Sequence, residues 1–171
     1  MVHMAEDAGL AENIFRSVED RNEKQQLVLV EKIKAAFGDD LSGRTLALWG
    51  IAFKPETDDI RGAPAIAMAK ALDAAGAAVV AFDPQAMDLA AEELADYQIT
   101  YVNDPYEATE GADALIVATE WRQFKQPDFR RLVSQLGAKT IFDGRNIYNP
   151  ERCMDYGLTY VGIGRSSALY D

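Results

Sequence analysis

Between residues 45 and 82 the chain passes from an apolar run to a polar turn, then to an alanine-rich segment and a second apolar run. Residues 45–52 (TLALWGIA) have the length and character of a buried strand, and residues 65–75 read as a helix that Gly76 stops. Residues 77–82 form a second strand closing on Asp83-Pro84. This is a βαβ unit, and its crossover makes the two strands parallel neighbours in one sheet. Open parallel sheets bind ligands at the carboxyl ends of their strands. The turn lying there, WGIAFKPETDDIRGAP from Trp49 to Pro64, carries Lys54, Asp58, Asp59 and Arg61. That is more polar chemistry than a connection requires.

The remaining pattern extends the same architecture. Residues 11–37 contain neither Pro nor Gly, and Ile14, Val18, the cluster 27–30 and Ile33 recur near helical spacing. One long helix is expected, kinked near Arg21-Asn22 and capped by Gly38. Its polar middle, EDRNEKQQ (residues 19–26), reads as a solvated face. Further strands are expected at 99–102, 114–119, 140–142 and 158–163, with helices at 87–95, from Asp104-Pro105 to Glu110, up to Leu136, and around Cys153. The tail 166–171 has no cap signal. The expectation is an α/β fold, a doubly wound, mostly parallel sheet of about six strands preceded by a long N-terminal helix. Residues 1–38 form the helical segment and 39–171 the Rossmann-like domain.

A chain of 171 residues with 49% apolar content can bury a sizeable core. Its net charge of −11 argues against nucleic acid, which is held mainly by Lys and Arg. No apolar run reaches membrane-span length and no signal peptide is visible, so a cytoplasmic location is expected. One cysteine permits no intramolecular disulfide. His3, the sole histidine, sits near the terminus, so neither a metal site nor a His-based acid/base pair is expected.

Lys54 and Arg145 each follow a strand, so a parallel sheet brings both to its ligand-binding edge. Arg offers a planar fork for a diphosphate or a carbonyl, and Lys a compact charge. Arg61 precedes the helix that Pro64 helps begin, where free N–H groups favour an anion. Asp58 and Asp59 read as turn caps and partners for Arg61. Asp83 reads either as a ribose-binding acid or as a turn residue, and no GxGxxG precedes it. Trp121 either packs or stacks on a base, and Cys153 reads as an inert packed thiol.

Phe53-Lys54-Pro55, Thr57-Asp58-Asp59, Arg61 and Ala63-Pro64 together resemble the FKP-x-TDD-x-R-x-AP signature of the UDP-glucose/GDP-mannose dehydrogenase family. The signature opens the C-terminal domain of that family, and the resemblance runs from about Arg21 to Gly164. It implies an oxidoreductase that uses NAD to convert the C6 alcohol of a UDP-sugar to a carboxylate. It further implies that Phe53, Lys54 and Arg145 contact the UDP-sugar and that Arg61 reaches NAD held by an N-terminal dehydrogenase domain. The long helix would then be the central helix that pairs subunits as a homodimer. Gly62 departs from the family, which often has an acidic residue there. The family's cysteine motif GG-x-C-x-PKD is absent from this sequence, so no catalytic residue is expected and the chain alone should be inactive. Two other readings are a stand-alone sensor of nucleotide sugars and a dimerisation module without catalysis.

Overall fold

The structure is a computed structural model and describes residues 14–165. His3, the first residues of the expected helix and the tail 166–171 lie outside it. The chain begins with α1 (Ile14–Gln26) and α2 (Val28–Phe37). It continues through β1 (Thr45–Trp49), α3 (Pro64–Ala74), β2 (Ala78–Phe82), α4 (Met87–Glu93) and β3 (Ile99–Tyr101). There follow α5 (Pro105–Thr109), β4 (Ala114–Val117), a 3-10 turn (Arg122–Phe124), α6 (Phe129–Gln135), β5 (Thr140–Asp143), α7 (Pro150–Asp155) and β6 (Thr159–Gly162).

The six strands make one sheet in the order β3-β2-β1-β4-β5-β6, and every pairing is parallel. This is the doubly wound α/β architecture expected from the sequence. Connections run outward from β1 in one direction and from β4 in the other. Right-handed crossovers therefore put α3 and α4 on one face of the sheet and α5, α6 and α7 on the other. The direction reverses between β1 and β4, which leaves a crevice beyond their carboxyl ends.

The core is continuous across both faces. Every residue of β4 and β5 is buried, as a central strand covered by helices on both sides demands. Trp49 at the end of β1 stacks on Phe124 with centroids 5.1 Å apart and meets Tyr106 edge-on. Its indole N–H donates to the Pro105 carbonyl at 2.6 Å. On the opposite face, Leu29, Val30 and Ile33 of α2 are buried in the same core, and Phe37 packs edge-on against Phe142 of β5. Local signals set the helix ends. Asp104 accepts from the Tyr106 N–H ahead of Pro105, and Gly38 closes α2 at a φ of 97°.

One expectation needs correction. The N-terminal helical segment is interrupted at Leu27, not at Arg21-Asn22, where the helix is regular. The Leu27 N–H turns back to the Lys24 carbonyl at 3.2 Å, a tighter i to i−3 bond. The break falls where the polar sequence of α1 meets the apolar sequence of α2. Only the latter has a core to enter.

Candidate functional site

The site grows from the ends of β1, β4 and β5. The ladder runs one step past each strand, since Gly50 N–H donates to Phe82 O, Ala118 N–H to Trp49 O and Gly144 N–H to Val117 O. Beyond that point the backbone of β1 leaves the sheet and is clamped on both sides. On the β2 side, the buried Asp83 carboxylate accepts from the N–H groups of Ile51 (2.7 Å) and Ala52 (3.0 Å). On the β4 side, the Thr119 hydroxyl donates to the Ala52 carbonyl at 2.6 Å. Gly50, at a φ of 89°, lies so close to Thr119 that a Cβ would stand 2.5 Å from the Thr119 Cβ. No other residue type allows this approach.

The turn itself is held by its own side chains. Phe53 N–H donates to Asp59 O at 2.8 Å and closes the loop. Thr57 Oγ1 accepts from Asp59 N–H, and Asp59 Oδ1 accepts from Arg61 N–H. Arg61 then grips the same carboxylate through Nε at 2.9 Å and Nη2 at 2.7 Å. These hydrogen bonds hold the Asp59 carboxyl well below the usual carboxylate range. Asp59 thus both caps the turn and pairs with Arg61. The pair is exposed to solvent, so it orients the arginine more than it stabilises the fold. Gly62 follows at a φ of 67°, a conformation suited to glycine.

Asp83 is the turn residue, not a free ribose-binding acid. Besides Ile51 and Ala52, its carboxylate accepts from the N–H groups of Gln85 and Ala86 and from the Trp121 indole. Five donors on a fully buried carboxylate leave it no capacity for a ligand. Trp121, itself buried, serves packing and this bond.

The end of β5 is built similarly. Asp143 is buried, and its carboxylate accepts from the N–H groups of Arg145 and Tyr148 and from the Tyr160 hydroxyl. Burial pushes its carboxyl above the usual range against the effect of those bonds. Asn146, at a φ of 53°, bonds Ile163 through both ends of its side-chain amide. Gly144 sits under α2, where a Cβ would stand 2.6 Å from Leu29 Cδ1 and 3.0 Å from the Val117 carbonyl oxygen. Held this way, Arg145 projects into the crevice.

An open cleft of about 520 Å³ lies there, lined by Phe53, Arg145, Gln25, Gln26, Asn22 and Leu29 among others. Phe53 is half-exposed on its rim. The structure therefore brings Phe53 and Arg145 together. Lys54, next to Phe53 and exposed, is not among the lining residues. Arg61 borders a neighbouring groove with Gln26, Ile66 and Lys70. The expectation of a solvated polar stretch holds for residues 19–25, all exposed, while Gln26 is half-buried. Asn22, Gln25 and Gln26 share the helix face that lines the cleft. Their i, i+3 and i+4 spacing was the available signal. Glu120, which pairs with Arg145, also escaped the sequence reading.

Cys153 is fully buried, and burial pushes its thiol up to about 11, so it carries no reactive thiolate. Among the described residues, no group of three His, Cys, Asp or Glu side chains is placed to hold a metal ion. Nor is any described helix long and apolar enough to cross a membrane.

Comparison with known proteins accounts for this arrangement. A family model described as the UDP-glucose/GDP-mannose dehydrogenase family, UDP binding domain, matches residues 47–150. A UDP-glucose 6-dehydrogenase of Pseudomonas aeruginosa is 44% identical over 98% of this chain and 38% of its own length. One of Rhizobium meliloti is 37% identical over 96% of the chain and 37% of its own length. Among solved structures, a UDP-glucose dehydrogenase from the archaeon Pyrobaculum islandicum superimposes with a TM-score of 0.79 at 31% identity, covering 96% of this chain and 35% of that one. The chain thus spans little more than a third of the length of these relatives. With its signature turn, its sheet order and the cleft at the reversal point all in place, the chain belongs to the UDP-glucose/GDP-mannose dehydrogenase family and corresponds to that family's UDP-binding domain.

Proposed function

We propose that the cleft between Phe53 and Arg145 takes the nucleotide half of a UDP-sugar, with Lys54 supplying a second cation at its rim. The carrying observation is that Phe53 and Arg145, ninety-two positions apart in sequence, line one cleft at the sheet's reversal point. Arg145 brings a fork of donors suited to phosphate or carbonyl oxygens, and Phe53 an apolar rim. NMR titration of the chain with UDP tests this. The amides of Phe53, Gly144 and Arg145 should shift together, and Arg145→Ala should weaken binding by about 1–3 kcal/mol. Shifts confined to the far end of the sheet, near Tyr156, would sink the reading.

In the parent protein this domain serves an NAD-dependent, UDP-glucose 6-dehydrogenase-like oxidation of the C6 alcohol to a carboxylate, a four-electron change that consumes two NAD. Arg61 is the residue here suited to reach NAD, since it is exposed and oriented by Asp59. Asp83 cannot hold a ribose, so the rest of the cofactor site belongs to an N-terminal domain. The chain alone performs no oxidation, because its only thiol is buried and unreactive. NADH formation by the pure chain with UDP-glucose would refute that. The reading places the protein in the cytoplasm, in keeping with a single, reduced cysteine.

Residues 1–38 then act as the end of a helix that pairs subunits into a homodimer, and residues 39–171 as the binding domain. Ile14 and Val18, one turn apart and both exposed on α1, support a contact there.

A further inference from the structure

Arg145 does not face the cleft as a bare cation. Its Nε donates to Glu120 Oε2 and its Nη2 to Glu120 Oε1, the latter at 2.8 Å. One edge of the guanidinium is thereby filled. The Nη1 end and the second proton of Nη2 remain to serve a ligand. The two residues leave neighbouring strands, since Val117 of β4 pairs with Asp143 of β5, with Glu120 three residues beyond one and Arg145 two beyond the other. Their side chains are about one-third exposed, at 28% for Glu120 and 36% for Arg145. The Arg145 bond also draws the Glu120 carboxyl below its ordinary range, so Glu120 is a carboxylate at neutral pH. Lys54 differs. It makes no hydrogen bond or ion pair among the described residues and acts on Asp59 only through space.

We infer that Glu120 is a specificity-determining residue of this cleft: it neutralises Arg145 and so sets how strongly the cleft takes up a phosphate-bearing ligand. The inference rests on the reading of Arg145 as a ligand contact. A phosphate approaching the open end of the guanidinium meets a fixed carboxylate behind the cation, and the two fields partly cancel. A neutral carbonyl is insensitive to that cancellation. Glu120 therefore lowers the cleft's affinity for anions in general while keeping the Arg145 fork aligned for an acceptor that fits its open edge. Because the pair is part-exposed, the arrangement costs the fold little and remains adjustable by the ligand.

The test is a set of NMR titrations with two probes, UDP and uridine, on the chain and on its E120Q, R145A and E120Q/R145A variants. Glu120→Gln keeps one acceptor for Arg145 but removes the charge. It should tighten UDP by about three- to tenfold and leave uridine unchanged, as expected for a partly screened charge near two phosphates. In the R145A background the same change should still tighten UDP, by a similar factor, because the Glu120 charge acts on the phosphates through space whether or not Arg145 is present. If R145A weakens UDP but E120Q does not tighten it, or tightens uridine equally, the role of Glu120 is refuted and the site stands. If R145A leaves the UDP Kd unchanged, or no variant titrates, the reading of the site fails as well. Should E120Q disturb the amide spectrum beyond the cleft, E120A read the same way decides, and absence of tightening there overturns the inference.

Discussion

Strand β2 is followed at once by a buried aspartate and β5 ends in one, and the two are put to different use. Asp83 collects four backbone N–H groups and the Trp121 indole, and every donor belongs to the fold. Asp143 accepts from two backbone N–H groups and the Tyr160 hydroxyl, and one of those N–H groups belongs to Arg145. The first carboxylate is a knot that holds the signature turn against the sheet. The second is a pedestal that presents a cation to the cleft. A buried acid at a strand end therefore does not identify a binding residue. What distinguishes the two is whether the turn it organises carries a side chain outward.

The largest effect should come from cutting the knot. Asp83→Ala leaves five donors without a partner, four of them on backbone that cannot move away, and should cost about 3–5 kcal/mol in urea unfolding. A cost below about 1 kcal/mol would mean that water or relaxation replaces the carboxylate, and the contrast with Asp143 would collapse.

Next in size is Gly144→Ala on the pedestal. Its Cβ meets Leu29 Cδ1 at 2.6 Å, which can swing aside, and the Val117 carbonyl oxygen at 3.0 Å, which cannot. Overpacking of that kind should cost about 1–3 kcal/mol, and pushing Leu29 into the cleft should weaken UDP binding. Full stability with weakened binding would sharpen the comparison, since it would confine the strain to the cleft. Unchanged binding with lost stability would assign Gly144 to the fold alone.

The smallest effect is a pH dependence. Burial raises the Asp143 carboxyl in the folded state, so the folded protein holds that proton to higher pH than the unfolded chain does. Its contribution is therefore fully present below the unfolded value of about 3.9 and is lost as pH rises through the raised folded value. Asp143→Asn removes this titration. Wild type should lose stability relative to D143N as pH rises above about 4, read from urea midpoints at each pH. A gain in that range would show that the hydrogen bonds outweigh burial and that Asp143 behaves as a stabilising anion.

The two arginines show where sequence reading reached and where it stopped. Arg61 pairs with Asp59 two residues earlier, and a turn that short brings the groups together whatever the rest of the chain does. That pairing was legible. Arg145 pairs with Glu120, twenty-five positions away on the neighbouring strand's exit. Nothing in the local pattern marks Glu120, because only the parallel register of β4 and β5 makes the two adjacent. Asn22, Gln25 and Gln26 were obscured similarly. They belong to a charge-rich stretch, and their common face gains meaning only once α2 is docked beside the sheet.

Sequence alone determined the elements and their order, because apolar runs, capping residues such as Asp104 and stops such as Gly38 act within a few residues of themselves. It also determined the parallel sheet, since helix-length crossovers between apolar strands admit little else. Tertiary structure decided the break at Leu27, the full use of Asp83 by its own fold and the pairing of Arg145 with Glu120 at the cleft. Each of these depends on groups brought together from distant parts of the chain. Burial and long-range pairing are properties of the packed arrangement, and no residue carries them on its own.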